Sequence, residues 1–380
     1  MKVAIVHEWL EHYAGSERVV AQLLQCYPQA DVFAVVDFLP EAERGFLGGR
    51  KVQTSFIQRL PMARRNFRNY LQLMPIAVEQ FELTGYDLVI SSNHAVAKGV
   101  LTGPKQVHVS YVHSPMRYAW DLQGQYLRES GLTSGPKSLY VRWLLHKMRQ
   151  WDAASANGVD LFVANSSYIA RRILKAYRRE ALIVPPPVAV ERFRLGNVPR
   201  EGYLTASRFV PYKRIELIAE AFRRMPEKRL TIIGAGTNAA QVQKAASGAP
   251  NITLRSPAPH DELVTLMQSA RAMVFAAEED FGITMVEAQA CGTPVIAFAE
   301  GGARDIFPHG SATRTGILFD EQTPEAIIDA VRRFEAVAPE IPPEACRENA
   351  LRFSEDLFRS RMTGAVAQAM AEHAGRRAAA

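Results

Sequence analysis

The chain has 380 residues, 48% of them hydrophobic, more than one hydrophobic core normally organises, so two domains are expected. Its three cysteines, Cys26, Cys291 and Cys346, are an odd number at no metal-ligand spacing, which fits a reducing cytosol with the thiols as ordinary small residues. No stretch has the length of a membrane span and the apolar run at 3–6 is too short for a secretory signal, so any membrane contact is expected to be peripheral.

In chain order, short β-branched runs alternate with helical spacing, the pattern of parallel α/β units. Runs at 3–7, 31–36, 87–91, 107–112, 160–164 and 182–184 are expected to form one sheet, and runs at 203–206, 230–233, 252–254, 272–276, 294–298 and 316–319 a second. Helical spacing covers 17–26, 137–156, 168–177, 215–225 and 324–334. Pro185-Pro186-Pro187 can continue neither a helix nor a central strand. A first domain over 1–190 and a second over 200–350 are therefore expected, and ligands of such sheets bind outside the carboxyl ends of the strands.

The net charge of +6 is unevenly spread. Residues 1–184 hold 22 Lys+Arg against 15 Asp+Glu, whereas 185–380 hold 23 against 24. Within the basic half, Arg59, Arg64, Arg65 and Arg68 are interleaved with Leu60, Met62, Phe67, Tyr70, Leu71, Leu73 and Met74. Such a segment suits an anionic lipid surface or a lipid diphosphate, and equally a solvated basic face whose apolar residues pack inward. No nucleic-acid-binding module is recognisable.

Chemistry concentrates after the strand at 272–276. Glu279 and Glu287 bracket Asp280-Phe281-Gly282-Ile283-Thr284-Met285-Val286, with helical spacing from Ile283 on. Glu279 then falls on a loop and Glu287 about one turn into a helix, whose first N–H groups and positive dipole end suit an anion. Gly282 permits close backbone approach. An anion flanked by hydroxyls, such as a nucleoside diphosphate sugar, fits this arrangement. Upstream, Arg208 and Lys213 in Ser207-Arg208-Phe209-Val210-Pro211-Tyr212-Lys213-Arg214 follow the first strand of the second series, placed to neutralise a leaving diphosphate. Gly15 follows the first strand of all, where it is either a plain turn or a phosphate contact. Gly234-Ala235-Gly236 lacks the third glycine of a dinucleotide fingerprint and reads as a tight turn, which disfavours a dehydrogenase.

The 279–287 segment resembles the glutamate-x-phenylalanine-glycine-x4-glutamate signature of retaining family-4 glycosyltransferases. The stretch Tyr111-Val112-His113-Ser114-Pro115-Met116-Arg117-Tyr118-Ala119-Trp120-Asp121 is similar to one in the mannosyltransferase-like branch of that family. The resemblance spans nearly the whole chain and implies the GT-B architecture: two Rossmann-like parallel-sheet domains facing a cleft, with a C-terminal helix near 354–375 crossing back to the first domain. It implies that Glu279 holds the transferred sugar, that Glu287 holds the ribose, and that Arg208 and Lys213 bind the diphosphate. It also implies that His113 lies beside the sugar and that Gly15 lies against the diphosphate. Phe281, Gly282, Ile283, Thr284 and Arg255 complete the candidate donor set. Arg117 and Trp120 are candidates for the acceptor pocket, with packing an equal reading for Trp120. Asp305 stands where the family pattern commonly has Glu, and Ala189 where Asp is frequent.

The expected activity is retaining transfer of a sugar, with GDP-mannose the first choice of donor and a UDP-sugar the alternative, to a glycan or polyprenyl-diphosphate-linked acceptor. Arg208, Lys213 and the helix end leave no need for a metal or other cofactor. A sugar-nucleotide epimerase of the same architecture and a two-lobed sugar-binding protein are the rivals. The expected location is the cytoplasm, peripherally at the inner face of the plasma membrane if residues 59–74 dock there.

Overall fold

A computed structural model describes residues 1–307 and 314–379. The chain divides into two compact units, one of Met1–Pro186 with Phe358–Ala380 and one of Pro187–Leu357. The division falls inside the proline triplet.

The first unit holds a seven-stranded parallel sheet in the order β3-β2-β1-β4-β5-β6-β7. Its strands are β1 (Val3–Leu10), β2 (Asp31–Asp37), β3 (Val52–Thr54), β4 (Leu88–Asn93), β5 (Val107–Val112), β6 (Leu161–Ala164) and β7 (Ala181–Ile183). β1, β4 and β5 are buried along nearly their whole length, so the polar residues they carry, His7, Glu8, Ser91, Ser92, Asn93, His108 and Ser110, are buried with them. The sequence reading missed β3, a three-residue edge strand whose only pairing is to β2. The last helix, Glu355–Ala379, supplies Phe358, Met362, Ala365, Val366 and Ala369 to the core formed by β1, β2, β4 and β5. The expected return of the C-terminal helix to the first sheet is therefore observed.

The second unit holds a six-stranded parallel sheet in the order β10-β9-β8-β11-β12-β13. These are β8 (Tyr203–Ala206), β9 (Leu230–Ile233), β10 (Ile252–Arg255), β11 (Ala272–Phe275), β12 (Val295–Phe298) and β13 (Gly316–Phe319). Helices Ile215–Arg223 and Pro324–Val337 bury Ile218, Phe222, Val331 and Phe334 in one apolar cluster, and helix Ile283–Ala290 buries Met285 and Val286 in another.

Each sheet has a point where the strand order reverses, β1 beside β4 in the first and β8 beside β11 in the second. Connections leave opposite faces there and part at the carboxyl ends, which is where ligands of doubly wound sheets bind.

Candidate active site

In the second unit, the reversal point joins two loops that are far apart in sequence. Lys213 follows β8 and Glu279 follows β11, and their side chains form a direct ion pair, 11% and 19% exposed. The ammonium also lies 5.5 Å from the centre of the Phe275 ring. Arg208 is exposed on the same β8 loop. That loop is held by the Gly234-Ala235-Gly236 turn: Phe209 N–H donates to Ala235 O at 2.8 Å, and a Cβ on Gly236 would lie 2.3 Å from Phe209 O.

A second pair of glycines fixes Glu279. Gly302 N–H donates to Glu279 O at 2.8 Å, and a Cβ on Gly301 (φ +72°) would sit 2.1 Å from that same oxygen. Gly282, at φ +96°, precedes helix Ile283–Ala290, so Ile283 and Thr284 lie in the first turn, whose N–H groups have no acceptor within the helix. Glu287 lies one turn further and is 6% exposed, and Phe281 packs edge-on against Phe353 at 5.4 Å. Arg255 closes the edge strand β10, two strands from β8, and is ion-paired with Glu262. It stands apart from the Lys213–Glu279 pair along the rim.

In the first unit, His113 follows β5. Its N–H donates to Asn93 O at 2.8 Å, and its carbonyl accepts from Asn165 Nδ2 at 3.0 Å. The rest of the 111–121 stretch is pinned from helix Ser167–Tyr177: Arg172 holds Asp121 through two bonds of 2.8 and 2.6 Å and reaches Ser114 Oγ at 2.9 Å. Trp120 donates to Asp152 at 2.7 Å and lies edge-on to Tyr177. Gly15 opens helix Gly15–Cys26, with Glu17 capping it by accepting from Ala14 N–H at 3.0 Å.

Sequence reasoning missed a polar network behind His113. His113 Nε2 lies 2.8 Å from Ser92 Oγ; the same hydroxyl lies 3.1 Å from His7 Nδ1; and His7 Nε2 lies 3.3 Å from Glu17 Oε1. His7, Ser92 and Glu17 are buried. Alone, burial would raise the Glu17 carboxyl, but the hydrogen bond and charge of His7 hold it down to about 2. Burial, with His94 and His7 nearby, holds His113 well below the usual histidine range, and burial pushes His94 down to about 3. A neutral His113 offers one N–H and one lone pair. The sequence signal for this network was a His-Glu pair inside the apolar strand β1.

Glu8 was missed as well. It is fully buried within β1, and its carboxylate accepts from the N–H groups of His94, Ala95, Val96 and Ala97 at 2.7–3.0 Å. It thereby sets the turn after β4.

Sequence profiles decide the family. That of the glycosyl transferases group 1 matches residues 190–353 and that of glycosyltransferase family 4 matches 13–192. The chain belongs to glycosyltransferase family 4. It is 30% identical over 206 residues to a GDP-mannose-dependent alpha-(1-6)-phosphatidylinositol monomannoside mannosyltransferase of Mycolicibacterium smegmatis, which is 46% of this chain and 53% of that one. It is 31% identical over 204 residues to a D-inositol 3-phosphate glycosyltransferase of Geodermatophilus obscurus, 46% of this chain and 45% of that one. The matched stretch is thus about half the length of these curated relatives. Among solved structures, Anabaena HepE in complex with UDP superposes with a TM-score of 0.70 at 15% identity, covering 97% of this chain and 100% of that one. Sucrose-phosphate synthase from Thermosynechococcus elongatus gives 0.71 at 17%, covering 98% and 100%. This likeness establishes the GT-B fold for the family-4 chain. Among its described residues no helix is long and apolar enough to cross a membrane.

Proposed function

We propose that this chain is a retaining, metal-independent glycosyltransferase that moves a sugar from a nucleoside diphosphate sugar to a hydroxyl of a glycan or lipid-linked oligosaccharide in surface polysaccharide synthesis. The observation that carries this reading is the Lys213–Glu279 pair at the β8–β11 reversal, beside the first turn of helix Ile283–Ala290. A diphosphate arriving there would meet Lys213, Arg208 and the helix N–H groups, and a sugar hydroxyl would take up Glu279. These groups stabilise the charge that develops as the diphosphate leaves, where electrostatic help counts most. Glu287 secures the ribose and contributes to affinity more than to rate. GDP-mannose is the preferred donor, on the likeness of 111–121 to mannosyltransferase-like members and on the name of the mycobacterial relative; the UDP complex of HepE favours a UDP-sugar as the alternative.

Calorimetric titration with GDP, UDP, ADP and CDP, without metal, tests the donor site. Selective binding of one nucleotide, weakened by Glu287→Ala, supports it, and binding of none refutes it. Release of an epimerised sugar nucleotide in the absence of acceptor would favour the epimerase instead.

Docking on an anionic membrane surface is part of the same reading. Residues 44–78 carry seven Lys+Arg and residues 130–151 carry four, and neither segment has an acid. Tyr140 OH donates to Gln72 at 2.8 Å, which places the two segments side by side. Leu139 (71% exposed), Trp143 (54%), Met62 (67%) and Ile76 (48%) project from them, the apolar and basic mixture of an interfacial surface. Within 59–74, Phe67 and Met74 pack inward and Arg68 pairs with Glu11 at 2.6 Å, so that stretch contributes Met62, while Leu139 and Trp143 come from helix Gly135–Ser155. Co-sedimentation with phosphatidylglycerol vesicles at low salt, lost in Leu139→Ser/Trp143→Ser, is the expected result. Equal sedimentation of both proteins, or none of either, would remove the surface.

A further inference from the structure

Within the second unit, the Glu279 carboxylate is set against two positive features at once. Oε1 meets the Lys213 ammonium, and Oε2 lies 3.8 Å from the point where a Cβ on Gly282 would stand, at the start of helix Ile283–Ala290. The backbone on both sides is fixed. Gly302 N–H donates to Glu279 O at 2.8 Å, and Glu279 and Gly301 form a β-bridge. Lys213 ends the single turn Pro211–Lys213, its N–H donates to Val210 O at 3.0 Å, and its ammonium lies 5.4 and 5.5 Å from the ring centres of Tyr212 and Phe275. At 11% and 19% exposure the pair is covered enough that solvent screens it less than a surface pair. Glu279 is therefore an internal anion that competes with phosphate oxygens for the ammonium and for the positive end of the helix.

Resting on the transferase reading, we propose that Glu279 separates donor from product: its carboxylate opposes a bare nucleoside diphosphate at Lys213 and yields only when sugar hydroxyls engage it. A carboxylate offers lone pairs and no hydrogen, so it gains from hydroxyl donors and is repelled by phosphate oxygens. In the donor complex the sugar hydroxyls donate to Glu279, which offsets the loosening of the pair as Lys213 turns an N–H toward the diphosphate. Once the sugar has left, those hydroxyls are gone, and Glu279 draws the ammonium back. The pair thus weakens the hold on the nucleoside diphosphate when it has to leave, the step that sets kcat in many enzymes. Equal affinity for donor and product would give no such advantage.

Calorimetric titration of the full chain and of Glu279→Gln with GDP, UDP, GDP-mannose, UDP-glucose and inorganic pyrophosphate tests this. Gln keeps the reach and an acceptor oxygen for the sugar but has no charge to hold Lys213. The expected result is that the nucleoside diphosphate and pyrophosphate bind Glu279→Gln about 3- to 30-fold tighter, while the matching nucleotide sugar binds no tighter or up to about tenfold weaker. In turnover, the nucleoside diphosphate should inhibit the variant at correspondingly lower concentration. Glu279→Ser, which removes charge and reach together, should tighten the nucleoside diphosphate as well, so a folding defect in one variant does not decide the outcome. Weaker binding of every ligand would mean a merely structural role, and equal tightening of every ligand would mean general repulsion without discrimination; either result, or no change, overturns the proposal. If no nucleotide binds either protein, the transferase reading falls and pyrophosphate alone decides: binding that is absent, unchanged or weaker in Glu279→Gln overturns the competition for Lys213, whereas tighter binding upholds it for a bare diphosphate.

Discussion

Replacing Glu8 by Gln should destabilise the first unit more than its place on an apolar strand suggests. Oε1 accepts from His94, Ala95, Val96 and Ala97 N–H, and Oε2 accepts a further bond from Val96 at 2.9 Å. Hydrogen bonds to a charged group contribute about 1.5–3 kcal/mol, against about 0.5–1.5 for neutral ones, so each loses roughly 1 kcal/mol when the charge goes. Four donors share one oxygen, which reduces the sum to about 2–4 kcal/mol. The amide NH2 at the Oε2 position would also point at Val96 N–H, a donor against a donor. At about 2–4 °C per kcal/mol for a unit of roughly 200 residues, the Tm should fall by about 5–15 °C. Differential scanning calorimetry of the full chain measures this, with Glu8→Asp, which keeps the charge at a shorter reach, falling between. A drop under about 2 °C for Glu8→Gln would refute the idea that this carboxylate organises the turn.

The buried histidines should make the first unit acid-labile. The folded pKa of His94 lies at about 3, below the ordinary 6.5, so between these values the unfolded chain binds a proton that the folded one refuses. Stability is then fully present above pH 6.5 and lost as pH falls toward 3, by about 1.4 kcal/mol per pH unit for one group; His94→Phe, which keeps the edge contact with Trp9 at 4.6 Å, should give a shallower decline by that amount in urea titrations. Gly301→Ala combines a left-handed backbone, about 1–2 kcal/mol, with a collision against Glu279 O that needs a backbone shift of about 1–3 more. Gly364→Ala, with open space in the last helix, should stabilise by about 0.5–1 kcal/mol, and equal effects of the two would refute the close-approach argument. For the ion pair, Lys213→Met and Glu279→Gln should each destabilise the second unit by about 1–2 kcal/mol while the double variant costs less than their sum, a coupling of at least about 0.5 kcal/mol in denaturant curves. Strict additivity would mean that the pair does not hold in solution.

The sequence alone determined the elements and the class of fold. Parallel strands buried on both faces are rich in apolar residues, so β11, β12 and the Val3 to Val6 start of β1 announced themselves as unbroken runs, and the proline triplet separated the two series. The three-residue β3 gave no such run, because an edge strand needs little burial. The Glu279–Glu287 spacing and the Arg208–Lys213 spacing were legible because each lies within one loop or one loop and its helix. Strand order was not legible. Only the folded sheets bring the loop after β8 beside the loop after β11, turning Lys213 and Glu279, 66 positions apart in the sequence, into one ion pair. The same holds for Glu17, His7, Ser92 and His113, which come from a helix, from strands β1 and β4 and from the residue after β5, and meet where β1 lies between β2 and β4 and β5 lies beyond. Hydrogen bonds join partners through space, and a carboxylate such as Glu8 that satisfies backbone N–H groups 86 to 89 residues away leaves no periodic trace in the chain that carries it.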